Sequence, residues 1–141
     1  MKSDISRFLD AQNQVYLRAL SEIMDGKKTS HWMWYIFPQL KGLGHSDTAI
    51  HYSLRDIREA NEYYRHPVLG QNLIEISNAV YRIQSKTALD IFGSPDDLKL
   101  RSCMTLFSLV EGADPIFENV LTKYFGGRPD KRTLELLEKQ G

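Results

Sequence analysis

The decapeptide SHWMWYIFPQ, residues 30–39, is the stretch that decides how this chain folds. It holds both tryptophans, and it is aromatic on more than one side in either a helix or a strand. Such a segment is typical of a buried central element. Its aromatic residues favour a strand by propensity, but an isolated strand among helices would lack a partner. We therefore predict a short buried helix that ends before Pro38, because proline disfavours helical geometry in the residue before it.

The segment on the N-terminal side predicts a long amphipathic helix. Ser3 or Asp4 can cap its start, and Gly26 stands where a helix C-terminus is expected. Apolar residues recur between these two points at steps of three and four, which places them on one face: Ile5, Phe8, Leu9, Val15, Tyr16, Ala19, Leu20, Ile23 and Met24.

Cap and break signals divide the C-terminal side into further helices. Ser46-Asp47 can open a helical turn, and Ser53 to Asp56 resembles a capping box for a helix through Tyr64. Later start signals are Pro67, Thr87, a Ser94 cap with Pro95 in the first helical position, Asp114-Pro115 and Asp130. About seven helical segments with short connections and no hairpin signal predict an all-α fold. We expect a compact multihelical single domain, residues 1–141, with a short buried central helix.

Composition excludes several classes of protein. The 141 residues carry 18 basic and 18 acidic side chains, and this balance argues against a nucleic-acid partner. The single cysteine, Cys103, excludes an internal disulfide and favours a reducing compartment. The first residues lack the apolar core of a signal peptide, and no apolar run is long enough to span a bilayer. We predict a cytoplasmic protein with no membrane association.

The edges of the aromatic segment are the first candidate for a ligand site. A buried indole N–H needs a partner, and Trp32 and Trp34 could also stack on a flat ligand. Gln39 could read a ligand edge through its paired donor and acceptor. The loop that follows contributes Gly42, Gly44, His45 and Ser46, whose backbone amides could face an anion.

The second candidate is the segment from Ser94 to Ser102, where Asp97, Lys99 and Arg101 could close the rim of a pocket. Helix capping followed by a solvated charged face explains the same residues. The histidines show no metal-ligand spacing, so we predict no metal and no cofactor. Cys103 lies in an apolar helical pattern and is interpreted as an inert core thiol.

Four separated strings resemble a bacterial family, the domain-of-unknown-function family eighteen-ten. The resemblance covers Phe8 to Leu137 and rests on HWMWYIFPQLKGLG, HPVLG, FGSPDDLKLRSCMTLF and FGGRPDKRTLELL. It implies a mycobacterial-type multihelical fold with a short buried central helix, and it implies no activity. Members are often labelled calpastatin, but calpastatin is a disordered repeat chain and this composition is globular.

The region from Leu98 to Gly141 is also similar to a larger helical family that acts on ADP-ribose-like and riboflavin-pathway N-glycosides. The order of a methionine, Lys123-Tyr124-Phe125 and Leu136-Leu137 carries this similarity, which assigns no catalytic residue.

Two functional hypotheses follow. The first is a small-molecule binder or enzyme for a flat, anionic, nucleotide-like ligand of the ADP-Ribose or NAD type, with N-glycoside hydrolysis as its most specific chemistry. The second is a protein-interaction module without catalysis, which would use an exposed aromatic patch and an unknown partner. A concave pocket with convergent polar groups favours the first hypothesis, and a flat apolar patch favours the second.

Overall fold

The computed structural model describes residues 4–140, and helices dominate this range. They are α1 (Ser6–Met24), α2 (Met33–Ile36), α3 (Asp47–His51), α4 (Ile57–Arg65), α5 (Leu69–Arg82), α6 (Ala88–Phe92), α7 (Asp96–Ser108), α8 (Ile116–Phe125) and α9 (Lys131–Gln140). Within residues 4–140 the structure contains no β-strand, only a single parallel bridge between Leu40 and Leu54. The predicted all-α, multihelical single domain is confirmed.

The aromatic segment forms the short central helix α2. This helix has four residues and ends at Phe37, directly before Pro38, as the proline predicts. Trp32, Met33 and Ile36 are buried with Phe37 in the main hydrophobic core. The segment therefore contributes mainly core residues, and its polar and half-exposed members lie at its edges.

Longer helices enclose this core in pairs. α1 packs along α5 and also against α2, while α8 lies between α5 and α7, and α9 packs on α7. The buried amide of Gln12 ties several of these elements together, because it donates to the carbonyl oxygen of Tyr35 and to the hydroxyl of Tyr63, each at 2.8 Å. Asn72 of α5 donates in turn to the Gln12 side-chain oxygen at 3.1 Å. A single glutamine thus connects α1, α2, α4 and α5.

Two predicted serine caps are wrong. α4 begins after Asp56, whose side chain accepts the Glu59 N–H; Ser53 cannot cap it because the next residue, Leu54, pairs with Leu40. α7 begins at Asp96, so Pro95 lies before the helix rather than in its first position. Ser94 makes no cap there, because the carbonyl oxygens of Gly93 and Pro95 accept the first N–H groups.

Both ends of α1 differ in detail from the prediction. Ile5 occupies the cap position, and Asp4 instead accepts a bond from the Ser6 N–H at 3.1 Å; Ser3 lies outside the described residues. At the other end the chain leaves the helix before Gly26, which has a φ of 81° as predicted for a C-terminal glycine. Met24, assigned to the buried face by periodicity, is 71% exposed.

The core also contains the single cysteine. Cys103 is fully buried on α7, and burial raises the pKa of its thiol well above the ordinary value. A thiol of this kind is not poised as a nucleophile. Among the helices of residues 4–140, none is long and apolar enough to cross a membrane.

Candidate ligand pocket

A pocket of about 270 Å³ opens where the aromatic segment meets the starts of α7 and α9. Three separate parts of the chain build its wall. They supply Trp34, Gln39 and Leu43 from the central segment, Pro95, Leu98, Lys99 and Ser102 from α7 and its start, and Asp130 and Arg132 from the start of α9. We call this cavity the Trp34 pocket.

Gln39 is one of two buried polar residues in the pocket wall, and Ser102 is the other. Its backbone is fixed by the bridge, because its carbonyl oxygen accepts the Leu54 N–H at 2.9 Å and the Lys41 N–H donates back to Leu54 at 2.7 Å. Its residue exposure is 7%, yet its side-chain amide has no hydrogen-bond partner among residues 4–140. Most buried polar side chains are paired. The backbone of Gln39 is thus held in place, and its side-chain amide remains available to a molecule in the pocket.

A chain of alternating charges connects the two tryptophans. The Lys99 ammonium lies 3.8 Å from the centroid of the Trp34 ring and 3.0 Å from Asp96. Asp96 also pairs with Lys28 at 2.8 Å, and Lys28 lies 5.0 Å from the ring centroid of Trp32. Burial opposes ionisation of Asp96, but the two ammonium groups outweigh it and hold the pKa of this carboxyl below its ordinary range.

Trp32 lies behind the pocket rather than in its wall. It is 1% exposed, and its indole N–H donates to the Glu22 carboxylate at 2.9 Å. The same carboxylate accepts bonds from the Thr29 N–H and from the N–H and hydroxyl of Ser30. Burial would raise the pKa of Glu22, but these four donors outweigh it and lower the pKa to about 2. The predicted partner of the buried indole is therefore a protein carboxylate.

The glycine loop supports the pocket from the side of Trp34. Gly44 packs against the tryptophan ring, since a Cβ there would lie 3.2 Å from a ring carbon and 2.7 Å from the Ala49 Cβ. Gly42 packs on the Leu136 side chain of α9. Ser46 accepts the Ala49 N–H at 3.1 Å and caps α3, while His45 is exposed. Of the two glycines, Gly44 is the one that lies against Trp34.

The two remaining predicted residues lie outside the pocket wall. Arg101 donates to the carbonyl oxygen of Arg128 at 2.9 Å and lies over the Phe125 ring, so it ties α7 to the α8–α9 turn. Asp97 stands in the first turn of α7, and its buried Oδ1 has no hydrogen-bond partner. Lys99 is the residue of this segment that lines the Trp34 pocket.

The start of α9 supplies charged groups that sequence reasoning did not assign to the site. Asp130 caps the helix as predicted, because its Oδ2 accepts the Thr133 N–H at 2.9 Å and the Thr133 hydroxyl at 2.6 Å. Its own N–H donates to the Thr105 hydroxyl of α7, which brings the cap to the pocket. Arg132, two residues later, has no ion pair among residues 4–140. With Lys99, Arg132 makes the pocket rim cationic.

A bound metal ion would need a cluster of ligating side chains. Among residues 4–140, no three histidine, cysteine, aspartate or glutamate side chains come together as a group that could hold an ion. The available chemistry is hydrogen bonding by an amide, contact with an indole ring and attraction by two cations.

The fold and the pocket together define a small all-α domain with a cavity of about 270 Å³ between its central segment and its C-terminal helices. Residues 2–137 match the family described as "Protein of unknown function (DUF1810)", and the chain belongs to this family. The crystal structure of the conserved hypothetical protein Rv1873 from Mycobacterium tuberculosis is similar over 96% of each chain, with 44% sequence identity and a TM-score of 0.94. Among curated proteins, the comparison found no match.

Proposed function

We propose that the Trp34 pocket binds a small, flat, anionic molecule of nucleotide type. The observation that carries this proposal is the amide of Gln39, which lies in the pocket wall and makes no hydrogen bond within residues 4–140. A glutamine amide presents a donor and an acceptor side by side, so it pairs with the edge of a nucleobase or of a carboxamide such as nicotinamide. A ligand with the matching edge would meet an amide whose donor and acceptor are both free of other residues within 4–140.

The positive charges of Lys99 and Arg132 at the pocket rim favour an anionic ligand. Lys99 and Arg132 both line the pocket, and Asp130 is engaged in capping α9. Arginine forms paired hydrogen bonds with phosphate oxygens, and a free arginine at a pocket rim suits that role. A ligand with a phosphate outside the mouth and a base or carboxamide inside would contact both the cations of the rim and the Gln39 amide.

The volume limits how much of a ligand is enclosed. Pockets that bury a drug-sized ligand usually measure about 300–1,000 Å³, and this one measures about 270 Å³. It suits one base or nicotinamide with part of its ribose. The rest of an ADP-ribose or NAD molecule would extend along the protein surface past Arg132.

We favour binding over hydrolysis because the carboxylate in the pocket wall, Asp130, is already engaged in hydrogen bonds. Hydrolysis of an N-glycosidic bond needs a group that assists departure of the base or activates water. Asp130 is the carboxylate in the wall, and its Oδ2 already accepts two bonds from Thr133. Only Oδ1 remains for chemistry, so we propose hydrolysis as a secondary activity that would need Asp130.

A protein-interaction module is the second candidate. The aromatic segment is mostly buried and offers no broad aromatic patch. The large apolar side chains that are most exposed lie instead on α1, where Leu17 is 79% and Met24 is 71% exposed. This observation favours an interaction surface on another side of the molecule, independent of the Trp34 pocket.

A thermal-shift screen with AMP, ADP-ribose, NAD and nicotinamide tests the ligand proposal. We expect at least one to raise the melting temperature, and we expect Gln39→Leu to lose most of that rise. Gln71→Leu is the matched control, because Gln71 is an exposed glutamine outside the pocket. No shift with any compound, or an equal shift in Gln39→Leu, contradicts the proposal. Chromatography of the same mixtures detects released base, and its loss in Asp130→Asn would support hydrolysis.

A further inference from the structure

A grooved surface between α1 and α5 carries several apolar side chains alongside polar ones. Its apolar members are Leu17, Leu20 and Met24 of α1, and Val68, Ala79 and Ile83 at or beside α5. We call this surface the α1–α5 seam. We propose that it binds a second copy of this chain in an antiparallel, two-fold symmetric dimer.

The exposure of the seam is the first observation. Leu17 and Met24 are 79% and 71% exposed, more than any other large apolar side chain found exposed within residues 4–140. They lie two helical turns apart, so they protrude from the same face of α1. Val68, across the groove from Leu17, is 49% exposed. Exposed apolar side chains gathered on one face mark an interaction surface.

The shape of the seam points to a second copy as the partner. Two cavities of about 480 and 420 Å³ lie along it, the first beside Leu17 and the second beside Met24. Protruding side chains and concave grooves therefore occur on the same face. A two-fold interface requires this self-complementarity, because each copy supplies both the protruding side chain and the groove that receives it.

The charges of the seam fix the relative direction of the two copies. α1 and α5 run parallel, since Leu9 and Val68 share the first groove while Met24 and Ile83 share the second. Asp10 lies at the first groove and Arg82 at the second, and neither has an ion pair among residues 4–140. In an antiparallel dimer Asp10 meets Arg82 of the partner at both ends. A parallel arrangement would bring like charges together.

The central charge of the seam is already engaged. Glu75 accepts the Tyr16 hydroxyl at 2.5 Å within the same chain. Its carboxylate is thus held against α1 rather than directed outward. The seam shares no residue with the Trp34 pocket, so the dimer and the ligand site are separate proposals.

Sedimentation equilibrium over a wide range of protein concentration tests the dimer on the full chain. We expect the wild type to pass from monomer to dimer as concentration rises. Leu17→Glu and Met24→Glu should each weaken dimerisation at least about tenfold, since a charge enters an apolar contact. Leu89→Glu is the control, because Leu89 is an exposed leucine on α6, away from the seam. Circular dichroism verifies that every variant is folded.

A charge exchange tests the antiparallel arrangement. Asp10→Arg and Arg82→Asp should each weaken the dimer, and the double variant should restore it, because the opposite charges meet again with their positions exchanged. A wild type that stays monomeric at every concentration overturns the proposal and leaves the seam to a different protein. A dimer unaffected by Leu17→Glu and Met24→Glu also overturns it. Loss of binding without restoration in the double variant excludes the antiparallel pairing.

Discussion

Lys99 places its ammonium group 3.8 Å from the ring centroid of Trp34 and at the same time pairs with Asp96 at 3.0 Å. One face of the pocket's indole is therefore covered by a cation that an acidic residue holds in place. In the proposed complex, an anionic ligand competes with Asp96 for this ammonium, and the Gln39 amide forms hydrogen bonds with the polar edge of the ligand. The pocket combines the unpartnered Gln39 amide with the Lys99 ammonium, which is already paired with Asp96.

Replacement of this cation tests its contribution to ligand binding. Lys99→Met should weaken an anionic ligand about tenfold or more, because a hydrogen bond to a charged group contributes about 1.5–3 kcal/mol. It should also change the emission of Trp34, since the ammonium leaves the ring. Isothermal titration calorimetry and fluorescence measure the two effects. Lys27→Met, at an exposed lysine outside the pocket, should change neither quantity.

Glu22 is expected to stabilise the fold through the donors that surround it. Glu22→Gln replaces a carboxylate that accepts from Thr29, Ser30 and Trp32, and we expect a loss of about 2 kcal/mol in the free energy of unfolding. Urea denaturation followed by circular dichroism measures this loss. Glu138→Gln on the exposed side of α9 is the control. Equal stability of the two variants would show that the Glu22 network is energetically neutral.

The same carboxylate predicts how stability depends on pH. Its pKa falls from the ordinary value of 4.5 to about 2 in the folded protein. A lowered folded-state pKa stabilises the fold at pH values above the unfolded pKa, and this contribution disappears as the pH falls from about 4.5 to about 2. The difference in unfolding free energy between the wild type and Glu22→Gln should therefore shrink across that interval. A difference that stays constant to about pH 2 would disagree with this account.

Gly70 of α5 packs closely against the backbone of α4. A Cβ at this position would lie 1.9 Å from the carbonyl oxygen of Tyr64, so the backbone would have to move. Alanine gains about 1 kcal/mol of helix propensity over glycine, but the clash should outweigh this gain. We expect Gly70→Ala to destabilise the protein by about 3 kcal/mol in urea denaturation, while Gln71→Ala next to it should have little effect. A more stable Gly70→Ala would refute the close approach.

The sequence predicted those features that depend on neighbouring residues. Pro38 indicated the end of α2, Gly26 the end of α1, and Asp130 the cap of α9, because each effect acts within one or two turns of a helix. The serine cap at Ser53 was wrong for the opposite reason. The backbone of the following residue, Leu54, pairs with Leu40, and periodicity contains no information about such a contact.

The candidate site was predictable in part. Trp34, Gln39 and Lys99 were selected by chemical type, and the structure brings them into one wall. Arg132 was missed because it lies far along the chain, and only the packing of α9 on α7 brings it to Trp34. The sequence also could not distinguish the two tryptophans, since the partner of the Trp32 indole, Glu22, lies on α1.

The two indole N–H groups provide the most direct test of the Trp34 pocket. Trp34 lines the pocket and its indole N–H has no partner among residues 4–140, whereas Trp32 donates to Glu22 at 2.9 Å. Each gives its own signal in a proton–nitrogen NMR correlation spectrum, as does the side-chain amide of Gln39. On titration with AMP or NAD, we predict that the signals of Gln39 and Trp34 shift together while the Trp32 indole signal stays in place. Unchanged signals for both Gln39 and Trp34 at saturating nucleotide would contradict the proposed binding site.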